Sequence, residues 1–439
     1  MSEYFYIETL GCSKNEVDSQ QIAGHLTQAG YQLTNDPAQA TFIIVNTCTF
    51  ILDAKEDSIA AILNLADLKT QGKAERLIVT GCLSQRYGQE LLNELPEIDG
   101  LIGTGNLEKI IEAIQAPESF LDLGQLNSPY CETILRVLPE KRPTRYVKIA
   151  EGCNKNCSYC IIPSIRGNLR SRTIESVQAE VEALVTDGAK EIILIAQDTT
   201  RFGADWAGRP QLDQLLKNLD EIDGNFWIRI FYMYPEGLTD KVLSVFQEAK
   251  HLLPYFDLPL QHANNKVLKD MNRASNREGM ETLVKKIRTM IPDAVIRTTF
   301  IVGFPGESES EFQELLDFVE QVPIDKVGVF PYSAEEGTTA AIRTDQIPQA
   351  SKLSRKERLM QKQMQVSSNT LTRWVGREMT ALIEEIDVEE KIMIGRTWMD
   401  APEIDGIVVL PIDSQVSLGD WVQVRIVDTT EYDLRGEVL

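Results

Sequence analysis

Three cysteines, Cys153, Cys157 and Cys160, lie on one short segment that directly follows a predicted β-strand. Thiolates at this spacing can hold three corners of a cubane iron–sulfur cluster, which leaves the fourth iron open to a ligand. A zinc ion is the alternative, but a structural zinc site takes four ligands, and no fourth cysteine or histidine is near in the sequence. We therefore expect an iron–sulfur cluster on this segment.

A second set of three cysteines, Cys12, Cys48 and Cys82, follows three successive predicted strands. The carboxyl ends of parallel strands share one edge of a sheet, so these thiols are expected to converge there and form a second three-thiolate site. The alternative is that they are ordinary buried cysteines, which are common in strands. Cys131 remains, and we assign it a structural role only.

Further candidates stand at predicted strand ends, and each has a structural alternative. The turn GFPGE (303–307) suits a close approach to a nucleotide or an ordinary strand-to-helix connection. Asp257 and His262 are placed to face a barrel mouth, although a histidine satisfied within the core is the commoner outcome. The dipeptide QD (197–198) has the same ambiguity. Three aromatic residues are more typical of barrel packing than of a cofactor site: Phe231, Tyr232 and Tyr234.

Strands and helices alternate over residues 1–118, which predicts a small doubly wound α/β domain. The apolar, β-branched runs that indicate strands are 4–9, 41–46, 76–80 and the shorter 101–102. The helical patterns between and after them are 15–29, 53–71, 84–94 and 107–115. Gly30 is placed to end the first helix as a C-terminal cap.

The next stretch, 119–144, contains three prolines and reads as a linker. Over 145–372 the alternation resumes with longer repeats, with strands at 146–150, 191–196, 227–232, 255–258, 295–302 and 326–330. Helices are predicted between them at 173–187, 211–220, 238–249, 276–290 and 308–320. Six such units predict a partial (β/α)6 barrel, with its chemistry at the carboxyl ends of the strands.

Two further elements complete the chain. A basic helix at about 349–373 carries six lysines and arginines, including Lys352 and Arg355, and we interpret it as a solvated helix face. The segment 373–439 has short strands separated by turn residues, which is typical of a small β-barrel. The overall fold class is therefore α/β with a small C-terminal β-barrel.

Composition narrows the classes of partner. The 439 residues include 66 acidic and 44 basic side chains, a formal net charge of −22. Such a surface repels bulk nucleic acid and suits a basic protein partner, although many enzymes are acidic for solubility alone. No apolar run is long enough to cross a membrane, and the N-terminus does not resemble a signal peptide. We expect a cytoplasmic protein without disulfides.

The loop EGCNKNCSYCIIPSIRG (151–167) resembles the signature of the radical S-adenosylmethionine (SAM) superfamily. Together with the three cysteines of the first domain and the final β-barrel, the whole chain resembles the methylthiotransferase family. That resemblance implies three domains: an N-terminal methylthiotransferase domain (1–118), a radical SAM core (145–372) and a TRAM domain (373–439).

Local motifs resemble the branch of this family that modifies a ribosomal protein more than the branch that modifies tRNA adenosine. These motifs are PSIRG (163–167), QDT (197–199), LPLQH (258–262), YSAEEGT (332–338) and DAPEIDG (400–406). In the first of them, the tRNA branch tends to have tyrosine where Ser164 stands. A small departure is Trp398-Met399, which affects nothing central.

The charge of the last domain supports the same branch independently. From Gly376 to Leu439 there are 5 basic and 15 acidic residues, which is nearly half of the net charge in a seventh of the chain. A TRAM domain that binds RNA should be basic. This one is expected to repel free RNA and to attract a ribosomal protein rich in lysine and arginine.

The resemblance implies addition of a methylthio group to the β-carbon of an aspartate in small-subunit ribosomal protein S-twelve. It implies two 4Fe–4S clusters, one on Cys153, Cys157 and Cys160 that binds and cleaves SAM, and one on Cys12, Cys48 and Cys82 that carries the sulfur. An unactivated C–H bond needs a radical cofactor, because no acid–base side chain can open it. Gln197 and Glu307 are predicted SAM contacts by position. An electron donor and a sulfur donor are further expected partners.

Two other functions stay open at this point. One is a tRNA adenosine methylthiotransferase, which tight, salt-sensitive binding of tRNA would favour. The other is an iron–sulfur electron carrier or ribosome-assembly factor without catalysis, which SAM cleavage under reducing conditions would exclude.

Overall fold

A computed structural model of the chain describes residues 3–128, 136–138 and 142–439. Cys131, for which a structural role was predicted, lies outside the described residues. No helix in the described part is long and apolar enough to span a membrane.

The first domain is a six-stranded parallel sheet in the order β2-β1-β3-β4-β5-β6. Its strands are β1 (Tyr4–Thr9), β2 (Gln32–Leu33), β3 (Phe42–Thr47), β4 (Arg76–Gly81), β5 (Gly100–Ile102) and β6 (Phe120–Asp122). Its helices are α1 (Ser13–Gln28), α2 (Leu52–Thr70), α3 (Cys82–Glu94) and α4 (Ile110–Gln115), with 3₁₀ turns at Pro37–Gln39 and Leu107–Lys109. The central strands β3 and β4 are almost wholly buried, because helices cover both faces of the sheet.

The doubly wound prediction is confirmed, and the sheet extends further than predicted. β6 pairs in parallel with β5 although it lies in the stretch predicted to be a linker. A three-residue strand has no periodicity of its own, which explains why the sequence did not reveal it. Gly30 follows α1 with φ +99°, as a C-terminal cap requires.

The second domain contains six parallel strands in two sheets, β11-β10-β7 and β12-β13-β14, and a short antiparallel pair, β8 and β9. The strands are β7 (Thr144–Lys148), β8 (Ala150–Glu151), β9 (Arg170–Ser171), β10 (Glu191–Ile195), β11 (Trp227–Ile230), β12 (Tyr255–Gln261), β13 (Val295–Val302) and β14 (Lys326–Pro331). The helices are α5 (Ile162–Arg166), α6 (Ile174–Thr186), α7 (Ala204–Ala207), α8 (Leu212–Asp220), α9 (Asp240–Glu248), α10 (Asn265–Asp270), α11 (Arg277–Met290), α12 (Glu309–Gln321) and α13 (Gln349–Leu371). Three 3₁₀ turns stand at Thr199–Arg201, Pro235–Gly237 and Thr372–Trp374.

The two sheets form one partial barrel, as predicted. Where β11 ends, the backbone N–H of Met233 donates to the carbonyl of Asp257, 2.9 Å away, which joins the sheets. Two residues other than glycine adopt positive φ at the carboxyl ends of strands, Tyr232 at +59° and Gln261 at +70°. Such strained backbone is concentrated at functional sites, which singles out this end of the barrel.

The sequence suggested that the basic helix α13 has a solvated face, but the structure buries part of that face. Two of its cations are buried against the barrel: Lys352 donates to the carbonyl of Tyr332 at 2.9 Å, and Arg355 donates to the carbonyl of Glu307 at 3.0 Å. A β-carbon on Gly303 would lie 2.3 Å from the Lys352 side chain. This glycine therefore leaves room for α13, which supports the structural explanation of the turn at 303–307.

The last domain is a closed barrel in the order β15-β16-β17-β19-β18, which confirms the predicted small β-barrel. Its strands are β15 (Glu378–Asp387), β16 (Ile392–Thr397), β17 (Val408–Pro411), β18 (Trp421–Thr429) and β19 (Leu434–Val438). Part of its negative charge is already paired with the second domain. Asp400 forms a buried ion pair with Lys326, and Asp405 lies 3.6 Å from Arg297.

Candidate functional site

The first cysteine set converges at the carboxyl edge of the first sheet. Cys12 follows β1 and precedes α1, Cys48 follows β3, and Cys82 is the first residue of α3 after β4. From β1 the chain continues to β2 on one side of the sheet, and from β3 it continues to β4 on the other side. This reversal of direction creates the crevice in which doubly wound sheets bind ligands. A β-carbon on Gly11 (φ +94°) would lie 2.7 Å from the β-carbon of Cys48, so the first two strand ends are in contact.

The cysteines of the first set differ in exposure, and their surroundings shift their pKa values. Cys48 and Cys82 are buried, whereas Cys12 is exposed. Burial, together with negative charge on Cys12 and Cys48, raises the pKa of Cys82 to about 11, although Arg166 opposes the rise. The opening at Cys12 leaves one side of the set accessible.

The second cysteine set lies on the loop between β8 and α5. Gly152 (φ +78°) begins the loop, and a β-carbon there would lie 2.1 Å from the carbonyl oxygen of Asn168. The N–H of Cys153 donates to the carbonyl of Gly167 at 3.0 Å, which closes the loop. Burial, together with negative charge on the other two thiols, raises the pKa of Cys160 to about 12.

Hydrogen-bond donors surround the second set. The N–H of Lys155 donates to the Cys153 sulfur at 3.4 Å, and the Arg273 guanidinium lies 4.0 Å from the Cys157 sulfur. Arg273 also covers the ring of Tyr234, 4.3 Å from its centre. Donors aimed at sulfur stabilise thiolates and their clusters, so the loop is arranged for anionic sulfur.

The two sets are adjacent across the domain boundary. Cys82 forms one apolar cluster with Ile161 and Ile165, and Ile161 immediately follows Cys160. The hydroxyl of Thr104 donates to the carbonyl of Ile165 at 2.9 Å, which fixes the first domain against α5.

Arg166 connects the same two domains by charge. Its guanidinium is 3.4 Å from the Cys82 sulfur and donates to Asn15 at 2.6 Å and Asp18 at 2.7 Å, all in the first domain. It also donates to Glu151 of its own domain at 3.1 Å. The side chain is only 2% exposed, so all of its charge is compensated inside the protein.

Counting the buried charges shows an excess of positive charge beside the first set. Three cations meet here, Lys14, Lys148 and Arg166, against two carboxylates, Asp18 and Glu151. A buried unpaired charge is costly, so an anion is expected nearby. Cluster-bound thiolates of the first set would supply that anion, and a donor set made only of thiols is the one that iron–sulfur clusters use. The residues therefore fit the cluster implied by the sequence.

A single metal ion fits less well. Among residues 3–128, 136–138 and 142–439, no three histidine, cysteine or carboxylate side chains converge closely enough to hold one ion. A zinc site needs that convergence, whereas a cubane cluster takes each thiolate on a separate iron atom.

Gln197 and Glu307, the predicted SAM contacts, occupy different surroundings. Gln197 donates to Glu151 at 2.5 Å, and its buried side-chain oxygen has no partner among the described residues. Glu307 is buried in its own turn, where it accepts from the N–H of Phe304 at 3.0 Å and faces Arg355 at 3.2 Å. Each residue keeps one buried oxygen without a hydrogen-bond partner among the described residues, but that of Glu307 faces the Arg355 guanidinium, whereas that of Gln197 faces no cation.

The other sequence candidates have structural partners. Asp257 is paired with Arg297 at 2.8 Å and accepts from the N–H of Tyr232. His262 is fully buried and its Nδ1 accepts from the N–H of Asn264 at 3.0 Å, whereas its Nε2 has no partner among the described residues, and burial lowers its pKa to about 3. The structural interpretation is therefore supported for Asp257, and His262 is a core histidine with one ring nitrogen unsatisfied.

The sequence did not reveal the cations that contact the aromatic residues. Lys14 of the first domain lies 3.9 Å from the ring centre of Tyr232, and Lys155 lies 3.9 Å from that of Tyr234. These two tyrosines therefore do more than pack the barrel. No sequence signal identifies such pairs, because a pair like Lys14 and Tyr232 forms only when the domains dock.

Three families match successive parts of the chain. Residues 4–103 match the family described as UPF0004, an uncharacterized protein family, residues 147–319 match the radical SAM superfamily, and residues 375–439 match the TRAM domain. The loop that carries Cys153, Cys157 and Cys160 and most of the partial barrel lie in the second of these regions, whereas β14 lies beyond it.

Solved structures share the fold at low sequence identity. The radical SAM methyltransferase TsrM from Kitasatospora setae, with cobalamin and a [4Fe–4S] cluster bound, is 13% identical, with a TM-score of 0.57. That match covers 78% of this chain and 77% of TsrM. The cobalamin-dependent radical enzyme OxsB is 10% identical, with a TM-score of 0.51 over 82% of this chain and 56% of OxsB.

Relatives match the chain over nearly its whole length. A protein of Desulfitobacterium hafniense named ribosomal protein uS12 methylthiotransferase RimO is 46% identical over 99% of this chain and 98% of its own. Proteins with the same name from Desulforamulus reducens and Geobacter sulfurreducens are 47% and 45% identical, each over 98% of this chain and 98% and 97% of their own. The chain therefore belongs to the RimO family of radical SAM methylthiotransferases.

Proposed function

We propose that this protein adds a methylthio group to the β-carbon of an aspartate in ribosomal protein uS12, the S-twelve protein of the small subunit. The observation that carries the proposal is the contact between the two cysteine sets, since Cys82 and Ile161 share one apolar cluster. Joining sulfur to an unactivated carbon requires a sulfur-carrying centre next to a radical-generating one. The names of the relatives supply the substrate.

The cysteines would hold the two clusters. Cys153, Cys157 and Cys160 would bind the 4Fe–4S cluster to which SAM attaches, and Cys12, Cys48 and Cys82 would bind the second. When bound, these groups supply one-electron chemistry and transferable sulfur, which no amino-acid side chain provides.

The protein's own side chains hold charge and position at the junction. Arg166 places positive charge 3.4 Å from the Cys82 sulfur, and Glu151 holds the amide of Gln197. The unpartnered oxygen of Gln197 suits a donor such as the amino or hydroxyl group of SAM. The apolar contact between Cys82 and Ile161 excludes water from the boundary between the sets.

The charge of the molecule fits a basic protein substrate. The chain carries a net charge of −22, which attracts a protein rich in lysine and arginine and repels free RNA. An electron donor and a sulfur donor belong to the same proposal, because the reaction consumes electrons and sulfur. A cytoplasmic location belongs to it as well, because the proposed substrate is a ribosomal protein.

Mass spectrometry of candidate substrates tests this proposal. Reconstituted protein, SAM and a reductant are incubated anaerobically with ribosomal protein uS12 in one tube and with tRNA in another. A methylthio group that replaces hydrogen on one aspartate is the expected result. The same group on a tRNA adenosine would identify the tRNA enzyme instead, and loss of SAM cleavage would leave only a non-catalytic iron–sulfur protein.

A further inference from the structure

Helix α2 carries an apolar stripe of exposed side chains. Leu52, Ile59 and Leu63 recur at helical spacing and are 54%, 38% and 43% exposed, and Phe50, just before the helix, is 48% exposed. These positions lie on one side of the helix. A contiguous exposed apolar surface of this kind marks an interaction site. We name these four residues the α2 stripe.

Acidic side chains border the α2 stripe. Asp53, Glu56, Asp57 and Asp67 are all exposed on the same helix, and none forms an ion pair with any residue in the described part of the chain. The two lysines of α2 are occupied elsewhere. Lys55 is paired with Glu335 at 2.8 Å, and Lys69 with Asp99 at 2.7 Å. The surface is thus apolar with an uncompensated acidic border.

The opposite side of α2 is attached to the candidate site. Ser58 is buried, and its hydroxyl accepts from the N–H of Cys48 at 3.0 Å and lies 2.9 Å from the Cys48 carbonyl oxygen. The ion pair of Lys55 with Glu335 fastens the same helix to the second domain. A partner bound to the α2 stripe is therefore held at a fixed position relative to a cysteine of the first set.

We propose that the α2 stripe is the docking surface for the ribosomal protein substrate. This inference rests on the proposed function. The segment it fits has apolar side chains flanked by lysine and arginine, because such a segment satisfies both the stripe and its acidic border. RNA does not fit, since acidic side chains repel phosphate. A second copy does not fit either, since a two-fold contact would bring the acidic borders together.

The C-terminal barrel is the competing surface, because its charge is also strongly negative. Two of its carboxylates, Asp400 and Asp405, are however buried against cations of the second domain. Both surfaces offer exposed apolar side chains and unpaired acids, but only the α2 stripe lies on an element that contacts the first cysteine set. It is therefore the better match for a protein that must reach that set.

Binding of uS12 by stripe variants tests the inference. The double variant Ile59→Ser/Leu63→Ser removes apolar area, and Glu56→Lys reverses one border charge. Kd for purified uS12 is measured anaerobically with the reconstituted holoenzyme. Each change is expected to raise Kd about tenfold, as loss of one well-buried interface contact does. Since all three residues are exposed, folding is little affected, and circular dichroism and iron content confirm it.

Matched controls come from the C-terminal barrel. Val388 and Leu418 are 72% and 64% exposed there, so Val388→Ser/Leu418→Ser removes similar apolar area, and Glu389→Lys reverses a similar charge. These controls are expected to change Kd less than about threefold, as surface changes outside an interface do.

Three results would overturn the docking inference. These are wild-type binding of uS12 by the stripe variants as a group, weakened binding by the barrel variants alone, and conversion of a dimer to a monomer by the stripe variants in sedimentation. Failure of the proposed function is recognised separately, because the wild-type holoenzyme itself would then neither bind nor modify uS12.

Discussion

Arg166 illustrates at the scale of one residue how the two domains share a site. Its guanidinium meets a thiol, an amide and two carboxylates while almost completely buried. A buried charge of this kind is favourable only while every partner is in place. Arg166 is therefore a positioning residue that holds Cys82 and the second domain together.

Arg166→Gln is expected to weaken the first cluster site. In a background in which Cys153, Cys157 and Cys160 are replaced by alanine, only the first set can bind iron. There R166Q should lower iron and sulfide content, because the positive charge beside Cys82 is lost. It should also reduce the free energy of unfolding by about 3–5 kcal/mol.

The matched control for this experiment is Arg358→Gln. Arg358 is 41% exposed and pairs with Glu309 on the surface, so its loss should cost less than about 1 kcal/mol. Unchanged iron content in the Arg166 variant would contradict the positioning role.

The raised pKa of the Glu307 carboxyl predicts that the free energy of unfolding depends on pH. Burial raises the pKa of its carboxyl from 4.5 to about 7, against the opposing effect of Arg355. Between these values the folded protein binds a proton that the unfolded chain has released, so this contribution to stability is lost as pH rises. The loss is up to about 1.4 kcal/mol per pH unit.

Urea denaturation at about pH 5, 6 and 7 of the wild type and Glu307→Gln measures this effect. The variant lacks the titrating group, so its advantage over the wild type should grow with pH. A difference in unfolding free energy that stays constant with pH would contradict the raised pKa.

Residue types at strand ends were enough to predict the two cysteine sets. The positioning role of Arg166 was not predicted, because its partners Asn15 and Asp18 lie about 150 positions earlier in the chain and approach it only when the domains dock. The free oxygen of Gln197 and the burial of Glu307 likewise depend on neighbours that no local pattern specifies.

At the scale of elements, the turn between β4 and α3 places Cys82. Gly81 adopts φ +92°, and a β-carbon there would lie 2.5 Å from the side-chain oxygen of Asn46 and the carbonyl oxygen of Thr47. Both the backbone conformation and the close approach of β3 require glycine.

Gly81→Ala is therefore expected to destabilise the first domain strongly. Strain at positive φ costs about 1 kcal/mol, and the overlap with β3 adds about 1–3 kcal/mol more. Gly30→Ala is the matched control, since Gly30 has φ +99° and open space around its missing β-carbon. Equal losses of unfolding free energy for the two variants would show that the contact with β3 is unimportant.

The major elements were predictable because each carries its own period. The strands with buried apolar runs, such as β3 and β10, and the amphipathic helices were predicted within a few residues. β6 was missed because three residues carry no pattern, and the inward cations of α13 were missed because composition does not show which side of a helix is covered.

At the scale of the whole molecule, a buried ion network holds the C-terminal barrel on the second domain. Arg396 pairs with Glu191 at 2.6 Å, and Glu191 also pairs with Arg229 at 2.7 Å. Arg229 in turn donates to the carbonyl of Asp400 at 2.9 Å. The barrel is thus a fixed part of the molecule.

Arg396→Leu should lower the free energy of unfolding by about 3–5 kcal/mol, because it leaves Glu191 partly unpaired in the interior. Arg425→Leu in the same barrel is the control. Its pair with Glu378 is exposed, so the loss should stay below about 1 kcal/mol. Similar losses for the two variants in urea denaturation would mean that the network does not hold the barrel.

Net charge predicted the kind of partner but not where charge is free. The sequence showed the excess of acids in the last 64 residues, but it did not show that two of them, Asp400 and Asp405, pair with cations of the second domain. The exposed acids of α2 form no ion pair within the described part of the chain, and only the three-dimensional arrangement shows which acids are paired.

The central claim is that the two cysteine sets do different chemical work, and comparing Cys82→Ala with Cys157→Ala tests it most directly. SAM cleavage and methylthio transfer to uS12 are measured in the same anaerobic reaction. We predict that Cys82→Ala still cleaves SAM but transfers no methylthio group, whereas Cys157→Ala does neither. Methylthio transfer by Cys82→Ala at the wild-type rate, with the cluster on Cys153, Cys157 and Cys160 assembled, would contradict the account.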